Sequence, residues 1–338
     1  MTRDDVDSSG SALTGIAKMV ANSSKTPLAA NSISRWVERF LDHLVLTAGR
    51  SANTLLSYRR DLIRYQRFCV HRGVTEPGSV GPQTVGEFLG MLTSEKMAPA
   101  TVARALSAVR SFHRYLLHTG VVAKNPARSI RTPRLPRKLP GVVSVGQMQK
   151  ILAAPDSTAP QDIRDRALLA LLYGCGLRAS EAAGIRVEDV NFGEKFVRVL
   201  GKGGRERLVP FGCSTERALK AYLNGPRVRQ EATMVADRLF LGRGGKGLSR
   251  MGIWLIVRKA ATKAGLEKRV HPHTFRHSFA THLLQAGADL RSVQAMLGHR
   301  SVSTTQIYTH LDRTYLAEVH RRYHPLEALQ RRAQCRSD

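Results

Sequence analysis

The chain has 338 residues, enough for two domains of ordinary size that each bury a hydrophobic core. Its 53 Lys and Arg residues outnumber its 26 Asp and Glu residues, which gives a formal net charge of +27. Nucleic acid is the predicted partner, because basic residues spread over long segments suit a phosphate backbone better than a small acidic ligand. The longest apolar stretch, 167–173, is too short to cross a bilayer, and four widely spaced cysteines without a signal peptide are typical of a reducing cytoplasm, so a cytoplasmic, nucleoid-associated protein is expected.

Residues 1–30 predict a mostly disordered N-terminal extension. The segment is rich in Ser, Ala, Thr and Asp, has little apolar periodicity, and carries three basic and three acidic side chains. Residues 31–130 differ, with 14 basic against 6 acidic side chains and a helical pattern. They predict a small helical domain that binds DNA.

In this first domain the apolar and basic residues occupy different faces of one helix. Apolar positions recur at steps of three and four residues, at Leu55, Tyr58, Leu62, Tyr65 and Cys69. The basic residues off this stripe, which we expect to contact DNA, are Arg59, Arg60, Arg64 and Arg67. Further helices are predicted at about 82–95 and 99–118, the second beginning near Pro99.

The segment 131–143 is predicted to be the linker between two domains. Its sequence RTPRLPRKLP contains three prolines and four basic residues, which favours an extended connector lying along an anionic surface. The DNA contacts expected here are Arg134, Arg137 and Lys138. The alternative is a solvated linker with no such contact.

Residues 144–325 predict a second, mixed α/β domain, followed by a tail at 326–338. Ser144 and Gln147 have the spacing of a capping box that opens a helix, and 163–173 is an apolar helix. The stretch KFVRVLGKGGRERLVPF alternates on both sides of a Gly-rich turn, which predicts a β-hairpin with Lys202 at its tip and Arg205, another expected DNA contact, beside it. The predicted fold is therefore mainly α-helical, in two domains, with one small antiparallel sheet.

Six residues form a candidate catalytic set. They are Arg178 in GLRASE, Lys202 in LGKGGRER, His273 and Arg276 in HPHTFRH, His299 in LGHRS and Tyr308 in TTQIYTH. Five of them can donate hydrogen bonds or positive charge to a phosphate, and the sixth is a phenol that can attack it. No acidic cluster accompanies them to hold a metal, so we expect phosphoryl transfer without a metal or other cofactor.

Each residue type suits one task in breaking a phosphodiester. Arg178 and Arg276 can bind the non-bridging oxygens bidentately and stay protonated, and His299 would add a third donor. A phenol with a pKa near 10 is a weak nucleophile, so Tyr308 needs a base, for which His273 is the candidate. Lys202, near several cations that would lower its pKa, is the candidate acid for the leaving 5′ oxygen.

Two neighbouring features have other interpretations. His271, His273, His277 and His282 could instead form a metal site, because positions 273 and 277 share a helix face. Glu181 follows Arg178 within one helical turn, and we expect it to anchor the cationic site rather than to act as an acid.

The order Arg, Lys, His-x-x-Arg, His, Tyr resembles the tyrosine recombinase (phage integrase) family, most closely its XerC/XerD branch. The resemblance covers nearly all of residues 32–325, and PRLPRKLP and YTHLDRTYLAEVHRRYHP look more like the XerD side. It implies a SAM-like core-binding domain and a catalytic domain that close on DNA. It also implies a 3′-phosphotyrosyl intermediate that conserves bond energy, so that the chemistry needs no ATP.

The same resemblance implies partners and a biological role. Expected partners are double-stranded DNA and a second recombinase of the family, in a tetramer on paired sites, with the septal DNA translocase as a further one. The implied role is DNA recombination that resolves chromosome dimers at a terminus-proximal site during cell division and chromosome partition. A phage or mobile-element integrase of the same chemistry, and a DNA-binding protein that has lost catalysis, are the alternatives.

A last prediction concerns the segment after Tyr308. An apolar stripe recurs there at helical spacing, at Leu311, Tyr315, Leu316 and Val319. The segment is too short to form its own core, so we expect the stripe to dock on a neighbouring subunit. The alternative is that this helix folds back onto its own domain.

Overall fold

The structure is a computed structural model, and it describes residues 32–47, 52–133, 142–201, 206–228, 237–266, 270–298 and 310–328. The chain divides into two compact units, with the boundary near residue 136. The predicted N-terminal extension and most of the predicted linker lie outside the described residues. None of the described helices combines the length and the apolar character needed to cross a bilayer.

The first unit is a helical bundle. Its helices are α1 (Ile33–Thr47), α2 (Ala52–His71), α3 (Pro82–Ser94) and α4 (Pro99–His118). α3 and α4 each begin with a proline, whose missing N–H is no loss at the first helical position, as predicted for α4. The apolar stripe predicted in α2 is confirmed, since Leu62, Tyr65 and Cys69 are fully buried.

The second unit is built around one apolar helix. Its helices are α5 (Val145–Ala153), α6 (Pro160–Gly174), α7 (Ala179–Gly184), α8 (Cys213–Tyr222), α9 (Arg250–Lys263), α10 (Pro272–Gln285), α11 (Leu290–Leu297) and α12 (His310–Tyr323). The capping box of Ser144 and Gln147 is present at the start of α5. α6 begins three residues before the predicted 163–173, at Pro160, and every side chain from Ala167 to Tyr173 is buried.

A three-stranded antiparallel sheet has the order β1 (Val190–Asn191), β2 (Phe196–Leu200) and β3 (Glu206–Pro210). β2 and β3 confirm the predicted hairpin, and their register pairs Val199 with Arg207 and Val197 with Val209. The short strand β1 was not predicted. The turn of the hairpin, 202–205, lies outside the described residues, and the predicted roles of Lys202 and Arg205 therefore stay predictions.

The C-terminal helix packs on its own domain. Leu316 and Val319 of α12 are 4% and 5% exposed and belong to the core of the second unit, where α12 contacts β3 and α11. The prediction that these two residues dock on another subunit is therefore wrong, because they are buried in the core of their own domain. Tyr315 is 55% exposed, and the side chain of Leu311 lies outside the described residues. Beyond α12, Glu327 is buried and accepts a hydrogen bond from the Cys213 backbone N–H.

Candidate active site

Arg178 lies at the N-cap of α7, where the chain is still extended. Its backbone N–H donates to Glu181 Oε2 at 2.8 Å, and its Nη1 donates to Glu181 Oε1 at 2.7 Å. The Arg178 side chain is nevertheless 41% exposed. One edge of the guanidinium is thus held by the protein while part of it remains open to a ligand from solution.

Glu181 is the centre of a buried group of charges. Its side chain is 4% exposed, and it lies against the guanidinium groups of Arg178, Arg207 and Arg276. Burial opposes ionisation of this carboxyl group, but hydrogen bonds from Arg207 and Arg178 outweigh it and lower the pKa of Glu181. Three cations surround one carboxylate, so the cluster keeps an excess of positive charge.

Arg276 lies in the first turns of α10 and is buried. Its Nη1 donates to the Gly176 carbonyl oxygen at 2.9 Å, and its Nη2 donates to the Leu297 carbonyl oxygen at 2.5 Å. Burial, together with repulsion from Arg178, lowers the pKa of Arg276 to about 10, so the side chain is still a cation at neutral pH. The side chain therefore joins α10, the loop before α7 and the end of α11.

His273 is exposed one turn before Arg276, and its ring lies 6.0 Å from that of His271. Burial lowers the pKa of His271. The alternative metal site is not formed: among the described residues no three His, Cys, Asp or Glu side chains come together in that way. His282 instead lies in the core, with its Nδ1 at 2.8 Å from the Tyr173 hydroxyl.

Arg207 is a member of the cluster that the sequence did not identify. It is 6% exposed, and its Nη1 and Nη2 donate to the two oxygens of Glu181 at 3.1 and 2.8 Å. Its Nε donates to the Met296 carbonyl oxygen at 2.8 Å. A signal was available, because strand alternation places Arg207 on the same face as Val209, which is buried.

The remaining catalytic candidates, Lys202, His299 and Tyr308, lie outside the described residues. Residues close in sequence to Lys202 and His299, however, reach the cluster. Arg207 follows Lys202 by five residues, and Leu297, whose carbonyl group binds Arg276, precedes His299 by two. The described ends of these segments therefore converge on Arg178, Glu181 and Arg276.

The DNA-contact candidates of the first unit lie on α2. Arg60, Arg64 and Arg67 are exposed, and Arg59 is partly exposed. Arg64 Nη1 lies 3.8 Å from Glu95 Oε2, an exposed ion pair of small energetic value. The other candidates, Arg134, Arg137, Lys138 and Arg205, lie outside the described residues.

Two family models match most of the chain. Residues 37–120 match the phage integrase N-terminal SAM-like domain, and residues 142–314 match the phage integrase family. The two matched segments fall in the two structural units. A helical SAM-like domain followed by a catalytic domain is the predicted architecture.

Among curated proteins, the tyrosine recombinase XerD of Staphylococcus haemolyticus is 40% identical over 289 residues, which is 86% of this chain and 98% of that protein. Two solved structures share the fold. XerH recombinase in a post-cleavage complex with palindromic difH has a TM-score of 0.66 at 22% identity and covers 88% of this chain and 99% of its own. A lambda integrase tetramer bound to a Holliday junction has a TM-score of 0.60 at 16% identity and covers 91% of each chain.

Proposed function

Since this chain belongs to the phage integrase family of tyrosine recombinases, we propose that it cuts and rejoins DNA through a 3′-phosphotyrosyl intermediate on Tyr308. It is an enzyme, a DNA strand transferase that acts in site-specific recombination. The observation that carries the proposal is the cluster of three guanidinium groups around the buried carboxylate of Glu181.

The cluster is suited to a phosphodiester because it holds its cations in place before the substrate arrives. Arg178 is partly exposed, while Arg276 is fixed by two carbonyl oxygens, so a bound phosphate meets donors that need little rearrangement. Pre-organised charge of this kind stabilises the extra negative charge that develops on the non-bridging oxygens during attack. His299 is assigned as a further donor to the same oxygens.

In the proposed step, the Tyr308 hydroxyl oxygen attacks phosphorus and its proton passes to His273. The bond from phosphorus to the 5′ oxygen breaks, and that oxygen takes a proton from Lys202. One phosphoester bond forms as one is lost, which leaves a 3′-phosphotyrosyl bond and a free 5′-hydroxyl. A 5′-hydroxyl of the partner strand reverses the step, and no nucleotide hydrolysis is needed.

We place this chemistry in chromosome dimer resolution at a terminus-proximal site during cell division. The similarity to proteins named XerD over nearly their whole length supports this role. The proposed partners are double-stranded DNA and a second recombinase of the same family, in a tetramer on paired sites within the nucleoid. The septal DNA translocase is a further proposed partner that would activate the tetramer.

The test is covalent capture on the organism's own DNA. Wild-type protein is incubated with fragmented chromosomal DNA, and DNA joined to protein is recovered under denaturing conditions and sequenced. We expect one strongly enriched site near the replication terminus, captured by wild type and absent with Tyr308→Phe, which keeps DNA binding because only the nucleophilic oxygen is removed.

Other outcomes of this capture have definite meanings. Enrichment at the boundary of an integrated element would replace dimer resolution by the integrase alternative. Continued capture by Tyr308→Phe would move the nucleophile to another residue. Specific binding without any covalent product from wild type would identify a DNA-binding protein that has lost catalysis.

A further inference from the structure

We propose that Arg207 is a positioning residue for strand cleavage, which sets the charge and the geometry of the phosphate-binding arginines without contacting the phosphate itself. The inference rests on the proposed function. Arg207 is 6% exposed, and its guanidinium group makes three hydrogen bonds inside the protein, two to Glu181 and one to the Met296 carbonyl oxygen. It therefore acts through the groups that it holds.

Its first effect is on charge. Arg207 engages both oxygens of Glu181, while Arg178 makes one side-chain hydrogen bond to that carboxylate and Arg276 lies 3.6 Å away. Removing Arg207 would leave a buried carboxylate facing only Arg178 and Arg276. The carboxylate would then compete with the phosphate for these two guanidinium groups, and the net positive charge of the cluster would fall.

Its second effect is on the end of α11. The last carbonyl groups of a helix have no partner within the helix, and cations stabilise them. Here Arg207 binds the carbonyl oxygen of Met296 and Arg276 binds that of Leu297. The chain then leaves the helix through Gly298, immediately before His299, so both arginines define where the segment with His299 begins.

Its third effect is on the hairpin. Arg207 lies in β3 opposite Val199 of β2, five residues after Lys202. The side chain therefore ties the returning strand of the hairpin to α7 and to the end of α11. Three segments that each carry or adjoin a catalytic candidate meet at one buried guanidinium group.

The inference is tested with three variants and two substrates. The variants are Arg207→Met, Arg207→Lys, and the control Arg198→Met, an arginine of the neighbouring strand that is 46% exposed and pairs with Asp189. The probe is a nicked duplex with the sequence recovered by covalent capture. One form carries an ordinary scissile phosphate. The other carries a methylphosphonate, in which a methyl group replaces one charged non-bridging oxygen, so that the arginines have one negative charge fewer to stabilise.

We expect Arg207→Met to form the tyrosyl adduct about 10²-fold more slowly on the ordinary phosphate, the order seen when a pre-organised donor is lost, with half-site binding unchanged. On the methylphosphonate the deficit relative to wild type should shrink at least tenfold. Arg207→Lys should recover part of the rate, because an ammonium group still pairs with Glu181 but cannot also bind Met296. Arg198→Met should match wild type on both substrates.

The double variant Glu181→Gln/Arg207→Met examines whether Arg207 acts through Glu181. We expect it to be no slower than Arg207→Met, because the competing carboxylate is gone. Equal rates of Arg207→Met and wild type on the ordinary phosphate would overturn the inference. The inference would also be overturned if Arg207→Met and Arg207→Lys each lost the same factor in the rate of adduct formation on the two substrates and each bound the half-site more weakly. Failure of wild type to form any adduct would overturn the proposed function as well.

Discussion

Replacing Gly298 with alanine adds one methyl group at the point where Arg207 passes the end of α11. Gly298 has a φ of +66°, in the left-handed region that favours glycine, and it caps the C-terminus of the helix. A Cβ built on Gly298 lies 2.9 Å from Arg207 Cδ, closer than two carbon atoms approach without a shift. The substitution therefore strains the backbone and also displaces the buried arginine.

A second glycine separates these two effects. Gly265 follows α9 with a φ of +72°, and a Cβ built there meets no atom of the described residues within 4 Å. We expect Gly265→Ala to destabilise the protein by about 1 kcal/mol, the cost of a left-handed alanine. Gly298→Ala should lose that amount and about 1 to 3 kcal/mol more, the usual cost of overpacking a buried site.

The assay is urea unfolding of the full-length protein, combined with the rate of adduct formation on the nicked duplex. Gly298→Ala should slow cleavage while Gly265→Ala leaves it unchanged. The double variant Gly298→Ala/Arg207→Ala should be less destabilised than the sum of its single variants, because the clashing atoms are absent. Equal losses of stability in the two glycine variants, to within about 0.5 kcal/mol, would contradict this prediction, because independent effects are resolved only to that limit. The contact with Arg207 would then make no measurable contribution to the free energy of unfolding.

Strand cleavage should survive EDTA, because Arg178 and Arg276 supply the charge stabilisation, and loss of cleavage that zinc or magnesium restores would favour a metal mechanism. DNA binding should weaken steeply with added salt, because phosphate contacts release counterions. Lys202→Ala should cleave an ordinary phosphodiester slowly, and its cleavage rate should recover when the 5′ leaving oxygen is replaced by sulfur, which departs without a proton. The cleavage rate of Arg178→Ala should not recover on the sulfur substrate. Burial lowers the pKa of both His320 and His324 below the ordinary 6.5, so both are neutral in the fold and take up protons on unfolding. The contribution of these two histidines to the unfolding free energy of the second unit should therefore be fully present well above pH 6.5 and be lost as the pH falls below it, and a flat urea midpoint from pH 7 to 5 would contradict this.

The local structure followed from short-range patterns in the sequence. A proline at the first helical position marked the start of α4, a Ser and a Gln three residues apart marked the start of α5, and alternation around a Gly-rich turn marked β2 and β3. These signals involve residues within one or two turns of each other, and the backbone responds to them directly. The start of α6 was placed three residues late because Pro160 lies before the apolar run that defined the prediction.

The identity of the candidate catalytic residues also came from the sequence, through motif order and residue chemistry. Arg178 and Arg276 are 98 residues apart in the chain, and the structure brings both to the same carboxylate. Glu181 was selected because it lies one helical turn from Arg178, a local relation. Strand alternation places Arg207 on the same face as Val209, but its partners Glu181 and Met296 are 26 and 89 residues away, and no local pattern identifies partners at such a distance.

Only the tertiary structure shows which surface covers the apolar face of each helix. Periodicity in α12 showed that Leu316 and Val319 form an apolar stripe, but a stripe has the same pattern whether another subunit or its own domain covers it. The packing of α12 on β3 and α11 gave the answer here. Sequence thus determined which residues share a face and which chemistry they can perform, because those properties are local. Tertiary packing determined which faces meet and which charges are buried together, because the energy of burial depends on neighbours that are distant in the chain.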